Sequence, residues 1–296
     1  MATAAHDAAA AGRVAIVAGS GRIPVYVAEK LAASGRDPFV VAIEGEADEE
    51  LLRYEHDFIN TAEIGRLVAI LKRVRPSEVV MVGGVGARPD LRRLRPDWMT
   101  LRLAAWLLPK LRAGDDVILR GVIKAIEGAG FPVRGVHELV PDLLADAGRI
   151  AGPKPTRADS EAIAAAVRGA LALGAVDAGQ ACVAIGKRIV ALEGAEGTDM
   201  MLQRVAELRE IGRLKAGRGG VLVKLAKPGQ ELRADLPTIG TMTIENAARA
   251  GLKGIAVHAG HALISDYEAT CARAKAEGVF LVGIDPSHPA AGEKIR

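Results

Sequence analysis

Short apolar runs alternate with longer amphipathic stretches through the first half of the chain. Strands are predicted over residues 14–18, 39–43, 79–82 and 133–137, and helices over 24–33, 64–73, 100–111 and 117–128. Strands that alternate with helices at this spacing are typical of βαβ units, which produce a parallel sheet. We therefore predict an α/β fold whose N-terminal domain, residues 1–146, has a Rossmann-like parallel sheet.

The second half of the chain has a different rhythm. Residues 147–158 are rich in glycine and proline and lack periodicity, which predicts a linker. Beyond it we predict a hairpin over 181–185 and 188–192, strands at 221–225, 254–257, 262–264 and 279–284, and helices at 159–173, 199–211, 243–250 and 266–277. This mixture predicts a distinct mixed α/β C-terminal domain over residues 159–296.

Composition excludes several classes of protein. Half of the 296 residues are apolar and only 3% are aromatic, as expected where aliphatic side chains fill both faces of a parallel sheet. A net charge of +3 argues against a nucleic-acid binder. Two cysteines argue against a disulfide framework and favour a cytoplasmic protein. Residues 1–12 do not resemble a signal peptide, and without an apolar run of about 20 residues any membrane contact is expected to be peripheral.

A glycine-rich turn follows the first predicted strand. In Gly19-Ser20-Gly21-Arg22 the backbone N–H groups and the start of the next helix suit an anion. The third small residue of a dinucleotide fingerprint is replaced by Pro24, which favours another nucleotide or a phosphate over NAD. A tight turn without a ligand remains the alternative. Gly83 and Gly84, where the 79–82 strand ends, are also predicted substrate contacts.

Acidic and basic residues cluster in two segments of the second half. Glu193, Glu196 and Asp199 suit a hard cation such as Mg²⁺, although the spacing alone favours a helix cap at Thr198 or Asp199 with the other acids solvated. The second segment, residues 224–240, contains both charge signs and two prolines. Phosphoryl transfer needs cations to neutralise oxygens and carboxylates to hold a metal or orient water. A polar surface loop is the alternative.

Three other features admit a structural as well as a functional interpretation. Asp116 and Arg120 could bind a metal or a sugar hydroxyl, or belong to an acidic helix start. His258 and His261 favour a structural role or one substrate contact over zinc. Residues 98–112 contain both tryptophans and follow Arg92, Arg93 and Arg95, which suits a membrane surface, an acyl-chain groove or a core helix.

Several linked motifs then carry a resemblance over nearly the whole chain. They are AGSGRIP at 18–24, GDDVILR at 114–120, LEGAEGTD at 192–199, VKLAKPGQ at 223–230, RADLPTIG at 233–240 and TIEN at 243–246. In these motifs the chain resembles the UDP-2,3-diacylglucosamine pyrophosphatases of lipid A biosynthesis, of the LpxI type. The resemblance implies hydrolysis to UMP and 2,3-diacylglucosamine 1-phosphate (lipid X), with attack at the uridine-side phosphorus, by a two-domain enzyme on the cytoplasmic face of the inner membrane.

The resemblance also implies site residues and a cofactor. The family's essential aspartate corresponds to Asp235, and Mg²⁺ or another divalent cation is expected. We predict Asp235, Asp199, Glu196 and Glu231 as metal ligands, with Glu231 standing where an aspartate is expected. Predicted substrate contacts are Gly19, Ser20, Gly21, Arg22, Gly83, Gly84, Asp116, Arg120, Thr198, Lys224, Lys227, Gln230, Arg233, Thr243 and His258.

Expected partners are the UDP-linked diacylated sugar and, transiently, the inner-membrane surface. No nucleic-acid partner is expected, and a homodimer is a hypothesis. Two rival functions remain, a nicotinamide-dependent oxidoreductase and a nucleotide-sugar binding module without chemistry. Metal-dependent release of UMP would distinguish all three.

Overall fold

The chain divides into two units. The computed structural model describes residues 12–61, 63–86, 98, 101, 114–215 and 217–288. The first unit contains Met1–Pro141 together with Glu231–Asp235, and the second contains Asp142–Gln230 and Leu236–Arg296. Five residues from the second half of the sequence therefore belong to the first unit.

A five-stranded sheet forms the centre of the first unit. Its strands are β1 (Arg13–Ala18), β2 (Asp37–Ile43), β3 (His56–Ile59), β4 (Glu78–Val82) and β5 (Val133–Arg134). The order is β3-β2-β1-β4-β5 and every pairing is parallel, which confirms the predicted parallel α/β sheet. Because β2 and β3 lie on one side of β1 while β4 and β5 lie on the other, the order reverses between β1 and β4, as in doubly wound sheets.

Helices cover both faces of this sheet. They are α1 (Ile23–Ala33), α2 (Ile64–Val74), α3 (Gly114–Gly128) and the single turn α4 (Val136–Leu139), with a 3-10 turn at Glu49–Arg53. Ala15 and Val17 of β1 pack with α2 and α3, whereas α1 packs against β1 and β2. Val14 and Ile16 are also fully buried, so both faces of β1 are covered. This explains why the strand sequences are continuously apolar.

Two predictions for the first unit need correction. The strand predicted over 133–137 ends at Arg134, because the carboxylate of Glu138 accepts the N–H of Gly135 at 2.8 Å and starts α4 there. The strand β3 was not predicted, since His56 and Asp57 interrupt its apolar pattern. The helix predicted over 100–111 lies outside the described residues, apart from Leu101.

A six-stranded mixed sheet forms the centre of the second unit. Its strands are β6 (Gly148–Ala151), β7 (Ala181–Ile185), β8 (Arg188–Leu192), β9 (Val221–Lys224), β11 (Gly254–His258) and β13 (Phe280–Ile284). The order is β6-β13-β11-β9-β7-β8, with β9, β11 and β13 parallel and β6, β7 and β8 antiparallel to their neighbours. The short strands β10 (Thr238–Ile239) and β12 (Leu263–Ile264) pair separately. The predicted mixed α/β class is confirmed.

Four helices pack on the mixed sheet. They are α5 (Arg157–Ala175), α6 (Gly197–Glu210), α7 (Thr241–Arg249) and α8 (Tyr267–Ala276). The alanine-rich face of α5 contacts β7 and β9, where a Cβ at Gly169 would lie 2.5 Å from the Sγ of Cys182. Small side chains on α5 therefore allow this close packing. The other three helices, α6, α7 and α8, contribute to a separate hydrophobic core cluster.

The segment predicted as a linker, residues 147–158, is partly a strand. Gly148–Ala151 form β6 and pair with β13, and Arg157 begins α5. Thr156 caps this helix by exchanging hydrogen bonds with Asp159. Of the glycines that suggested a loop, Gly148 begins this short edge strand and Gly152 follows it. In the part of the chain that the structure describes, no helix has the length and apolar character needed to cross a bilayer.

Candidate functional site

Two glycine turns contact each other at the carboxyl ends of β1 and β4. Ser20 and Gly84 exchange backbone hydrogen bonds of 2.7 and 3.0 Å, and the Ser20 hydroxyl also donates to the Gly84 carbonyl at 3.0 Å. A Cβ at Gly19 would lie 2.2 Å from the Gly84 oxygen, and Gly83 adopts φ +96° against the Gly19 backbone. The structure thus brings the predicted residues of both turns together.

The position of these turns suits a phosphate-bearing ligand. In open parallel sheets, ligands bind outside the carboxyl ends of strands where the strand order reverses, which here is between β1 and β4. Helix α1 begins at Ile23, with Pro24 in its first turn and no side chain capping its first N–H groups. Those N–H groups and the helix dipole favour an anion. Arg22 is held by Glu50 at 2.6 Å, so its guanidinium is paired with a carboxylate.

Several predicted residues of the second unit lie at one edge of the mixed sheet. Lys224 ends β9 and His258 ends β11, and these two strands are parallel neighbours. Lys224 is also the register partner of Ala181 at the start of β7. The Glu193 N–H, just after β8, donates to the Ala181 carbonyl at 3.0 Å. The carboxyl edge of β9 and β11 therefore also carries the acidic segment that starts at Glu193.

Glu193 is the most enclosed carboxylate of this edge. Its side chain is buried and accepts the Gln180 N–H at 2.8 Å and the Thr198 hydroxyl at 2.5 Å. Burying a carboxylate is costly unless it is hydrogen-bonded, and here both oxygens have a donor. Glu193 therefore fixes the turn that begins α6, a role that the spacing of the acidic residues did not reveal. In the structure, the Thr198 hydroxyl stabilises this turn by donating to Glu193.

His258 stands half-buried beside His261. Their ring centroids are 4.4 Å apart, and within the described residues the buried Nδ1 of His258 has no hydrogen-bond partner. Burial lowers the pKa of His258, His261 lowers it further, and Asp285 opposes the shift. A neutral imidazole with one nitrogen unused could accept or donate a single hydrogen bond to a ligand.

The loop after β9 is held at its base by its own charged residues. Lys224 Nζ donates to the Thr238 carbonyl at 3.0 Å, and Lys227 Nζ contacts Asp177 at 2.6 Å. The Gln230 side chain accepts the Lys227 N–H at 2.8 Å. These three predicted substrate contacts therefore also stabilise the fold of the loop.

Residues Glu231–Asp235 belong to the first unit. Arg233 binds Glu231 through Nε at 2.9 Å and Nη2 at 3.0 Å, and reaches Glu127 of α3 through Nη1 at 2.6 Å. The Arg233 side chain is chiefly what lowers the pKa of the Glu231 carboxyl, and Arg120 adds to this effect. The structure thus pairs Arg233, a predicted substrate contact, with two carboxylates.

Three of the four predicted metal ligands have a protein partner in the structure. Glu231 pairs with Arg233, Glu196 lies 3.0 Å from Arg204, and Asp199 accepts the Asn246 amide at 2.9 Å. Glu231 and Asp235 belong to the first unit, and Glu196 and Asp199 to the second. Among the described residues, no three His, Cys, Asp or Glu side chains are gathered as a metal site.

The remaining predicted residues have mixed outcomes. Thr243 accepts the Gly240 N–H at 3.4 Å at the start of α7, which is a capping contact. Asp116 lies in the first turn of α3, one turn before Arg120. In the 98–112 segment only Trp98 and Leu101 are described, and both side chains are exposed. Arg92, Arg93 and Arg95 lie outside the described residues.

Together the fold and the site define a two-unit α/β protein with polar groups at the carboxyl ends of parallel strands. The LpxI N-terminal domain matches residues 13–143 and the LpxI C-terminal domain matches residues 146–282. The chain belongs to the LpxI family.

A curated relative is the UDP-2,3-diacylglucosamine pyrophosphatase LpxI of Caulobacter vibrioides. It is 39% identical over 275 residues, which cover 93% of this chain and 98% of the relative. A solved putative NAD-dependent epimerase/dehydratase from Methylobacillus flagellatus covers 47% of this chain and 42% of its own, at 14% identity and a TM-score of 0.26, which is too low to bear on fold or function.

Proposed function

We propose that this protein hydrolyses the pyrophosphate of UDP-2,3-diacylglucosamine, giving UMP and 2,3-diacylglucosamine 1-phosphate in lipid A biosynthesis. The observation that carries the proposal is the 39% identity to the Caulobacter vibrioides pyrophosphatase along 93% of the chain. The paired glycine turns support it, because they lead into the start of α1, which has no side-chain cap, at the position where α/β sheets bind phosphate-bearing ligands.

Asp235 is our candidate for the residue that orients the attacking water. It lies in a half-buried turn of the first unit, the unit that also contains the glycine turns. A pyrophosphate repels an incoming nucleophile, so turnover requires a water molecule held in line with the leaving group. A carboxylate can accept hydrogen bonds from such a water and fix its direction.

Dependence on Mg²⁺ or another divalent cation is also part of the proposal. The described carboxylates do not fit a preassembled metal site, since Glu231, Glu196 and Asp199 each have another partner. Chelation followed by addition of Mg²⁺ or Mn²⁺ tests the dependence: activity that is abolished and then restored supports it, and unchanged turnover contradicts it.

The reaction is tested with purified protein and UDP-2,3-diacylglucosamine in ¹⁸O-labelled water. Mass spectrometry should find UMP and lipid X, with the label in UMP because attack is at the uridine-side phosphorus. Label in lipid X would overturn that direction of attack. Binding without any hydrolysis would favour a nucleotide-sugar binding module, and nicotinamide-dependent redox turnover would favour the oxidoreductase.

The role of Asp235 is tested by Asp235→Asn, which removes the charge and keeps the shape. We expect kcat to fall by about 100-fold or more, as when a group acting in the transition state is lost. The matched control is Asp37→Asn, a carboxylate of the first unit paired with Arg13 at 2.6 Å. Equal activity of the two variants would remove Asp235 from the mechanism.

Transient docking to the inner-membrane surface from the cytoplasmic side completes the proposal. Trp98 is 79% exposed and Leu101 is 48% exposed, three residues further on. Exposed apolar side chains near basic residues favour an anionic lipid surface. Trp98→Ser should weaken flotation with anionic vesicles, and unchanged flotation would contradict docking through Trp98. The homodimer hypothesis is tested separately by analytical ultracentrifugation.

A further inference from the structure

The turn that contains Asp235 is connected internally through Glu231. The N–H groups of Ala234 and Asp235 both donate to the Glu231 carbonyl at 3.1 Å. The Glu231 carboxylate accepts two hydrogen bonds from the Arg233 guanidinium, in the forked geometry that fixes both side chains in one plane. Backbone and side-chain bonds of Glu231 therefore hold Asp235 and Arg233 in one compact turn.

The same arginine attaches this turn to α3. Arg233 Nη1 donates to the Glu127 carboxylate at 2.6 Å, so each guanidinium nitrogen carries a bond to a carboxylate. These contacts raise the pKa of Arg233, which stays charged. Ala234 packs against the core cluster that contains Ile123 and Ile126 of α3. The turn thus has one ionic and one apolar contact with the first unit.

Burial indicates which part of the network is shielded from water. The Glu231 side chain is 14% exposed, whereas Arg233 is 31% and Glu127 is 40% exposed. An ion pair as exposed as Arg233–Glu127 contributes at most about 1 kcal/mol to stability. A contact that contributes little to the free energy of unfolding can still have a large effect on the reaction rate. A displacement of about 1 Å at a catalytic group can lower the rate on the order of 100-fold.

We propose that Glu127 and Arg233 are positioning residues for the pyrophosphatase reaction, holding the Asp235 turn on α3. This inference rests on the proposed function, since it assigns Asp235 to the attacking water. Neither side chain contacts the substrate in this proposal. Arg233 acts through Glu231 and the turn, and Glu127 acts through Arg233.

The main test compares Glu127→Gln with Glu29→Gln in steady-state hydrolysis of UDP-2,3-diacylglucosamine. Glu29 is a matched control, because it is a helix carboxylate that an arginine, Arg53, contacts at 2.7 Å. Glu127→Gln should lower kcat by about 10-fold and leave KM within about twofold, since positioning of the water acts in the transition state. Glu29→Gln should retain wild-type kcat and KM.

A second pair of variants excludes a general loss of structure. Arg233→Lys keeps the charge and loses the fork, so its kcat should also fall while its melting temperature stays close to wild type. Glu127→Asp keeps the carboxylate and should recover part of the kcat lost in Glu127→Gln. A purely structural contact would change the melting temperature together with kcat, and would not show this partial rescue.

Asp235→Asn in the same assay distinguishes failure of the Asp235 assignment from failure of the positioning role alone. If Asp235→Asn hydrolyses the substrate at a near-normal rate, the assignment of Asp235 fails and positioning fails with it. If Asp235→Asn is impaired but Glu127→Gln and Arg233→Lys match Glu29→Gln in kcat, positioning alone is overturned. A rise in KM at constant kcat in Glu127→Gln would also overturn it, because that result indicates a substrate contact.

Discussion

Gly19 and Gly83 approach each other more closely than side-chain-bearing residues can. A Cβ on Gly83 would lie 2.7 Å from the Gly19 carbonyl carbon, and one on Gly19 would meet the Gly84 oxygen at 2.2 Å. The glycines of both turns are therefore required by the contact between two backbones, whether or not a ligand is bound. This explains why a glycine motif alone left the tight-turn interpretation open.

Gly19→Ala should destabilise the protein and weaken binding of uridine nucleotides. The added methyl group must separate the two turns, and overpacking of this kind costs about 1–3 kcal/mol. Gly86→Ala is the control, because Gly86 has a negative φ and open space around its Cβ position. Urea unfolding and UMP titration calorimetry measure both effects. Equal stability and affinity of the two variants would contradict the close approach.

His258 should contribute to acid sensitivity. Its pKa lies below the usual value of 6.5 in the folded protein, so the unfolded chain takes up a proton first as the pH falls. Stability is then lost as the pH drops from the unfolded pKa towards the folded one. His258→Gln should reduce the loss in unfolding free energy between about pH 7.5 and about pH 5.5, measured in urea. A His258→Gln curve parallel to the wild type would reject the assignment.

At the scale of elements, the sequence predicted the strands that are apolar throughout and missed those defined by their neighbours. β2, β9 and β13 each contain a continuous apolar run that is buried within its sheet. β6 carries Gly148 and Arg149 and exists because it pairs with β13. The same holds for β3, whose strand geometry depends on pairing with β2. Partner-dependent strands leave little local pattern to detect.

The site residues also divide into those that local spacing reveals and those whose role depends on contacts distant in the sequence. Residues within one motif, such as Gly19 to Arg22, could be found because their spacing follows the turn. Glu127 could not be found, since it lies 106 residues from Arg233 and looks like any exposed helix glutamate. Glu193 was noticed as an acid, but its structural role depends on Gln180, which no spacing rule connects to it.

Arg209 hydrogen-bonds to two loop segments that no sequence motif relates to it. From the last turn of α6 it donates to five backbone carbonyls, those of Lys215, Gly217, Gly219, Ala250 and Gly251. Burial lowers its pKa, yet the carbonyls satisfy the charge. The arginine thus fixes the loop before β9 and the turn after α7.

Arg209→Met should lower the free energy of unfolding by about 2–3 kcal/mol, because the carbonyls of Gly219, Ala250 and Gly251, all in part-buried contacts, lose a charged donor. Arg168→Met is the control, since Arg168 is exposed and donates to a single carbonyl, that of Ala164, at 3.1 Å. The control should stay within about 0.5 kcal/mol of wild type. Chemical unfolding followed by circular dichroism measures both, and a loss for Arg209→Met as small as the control's would argue against the five-carbonyl contact.

At the scale of the whole molecule, one segment of the chain belongs to a different unit from its neighbours in the sequence. The chain leaves the second unit after Gln230, contributes five residues to the first unit, and re-enters the second at Leu236. The first unit is therefore incomplete without Glu231–Asp235, which the chain reaches only after Asp142–Gln230 of the second unit. A substitution at Arg233 should then lower the local stability of α3 and leave that of the helices in the second unit unchanged.

Hydrogen–deuterium exchange measures this coupling directly. Arg233→Met removes the contact with Glu127, so amides in the last turn of α3 should exchange faster, by no more than about fivefold, because an exposed ion pair is worth at most about 1 kcal/mol. Amides of α5 should be unchanged. Arg168→Met, which alters α5 itself, should leave α3 at the wild-type rate and serves as the reciprocal control. If Arg233→Met exchanges like the wild type throughout α3, the turn does not stabilise this helix, and the attachment of Glu231–Asp235 to the first unit carries no energetic consequence.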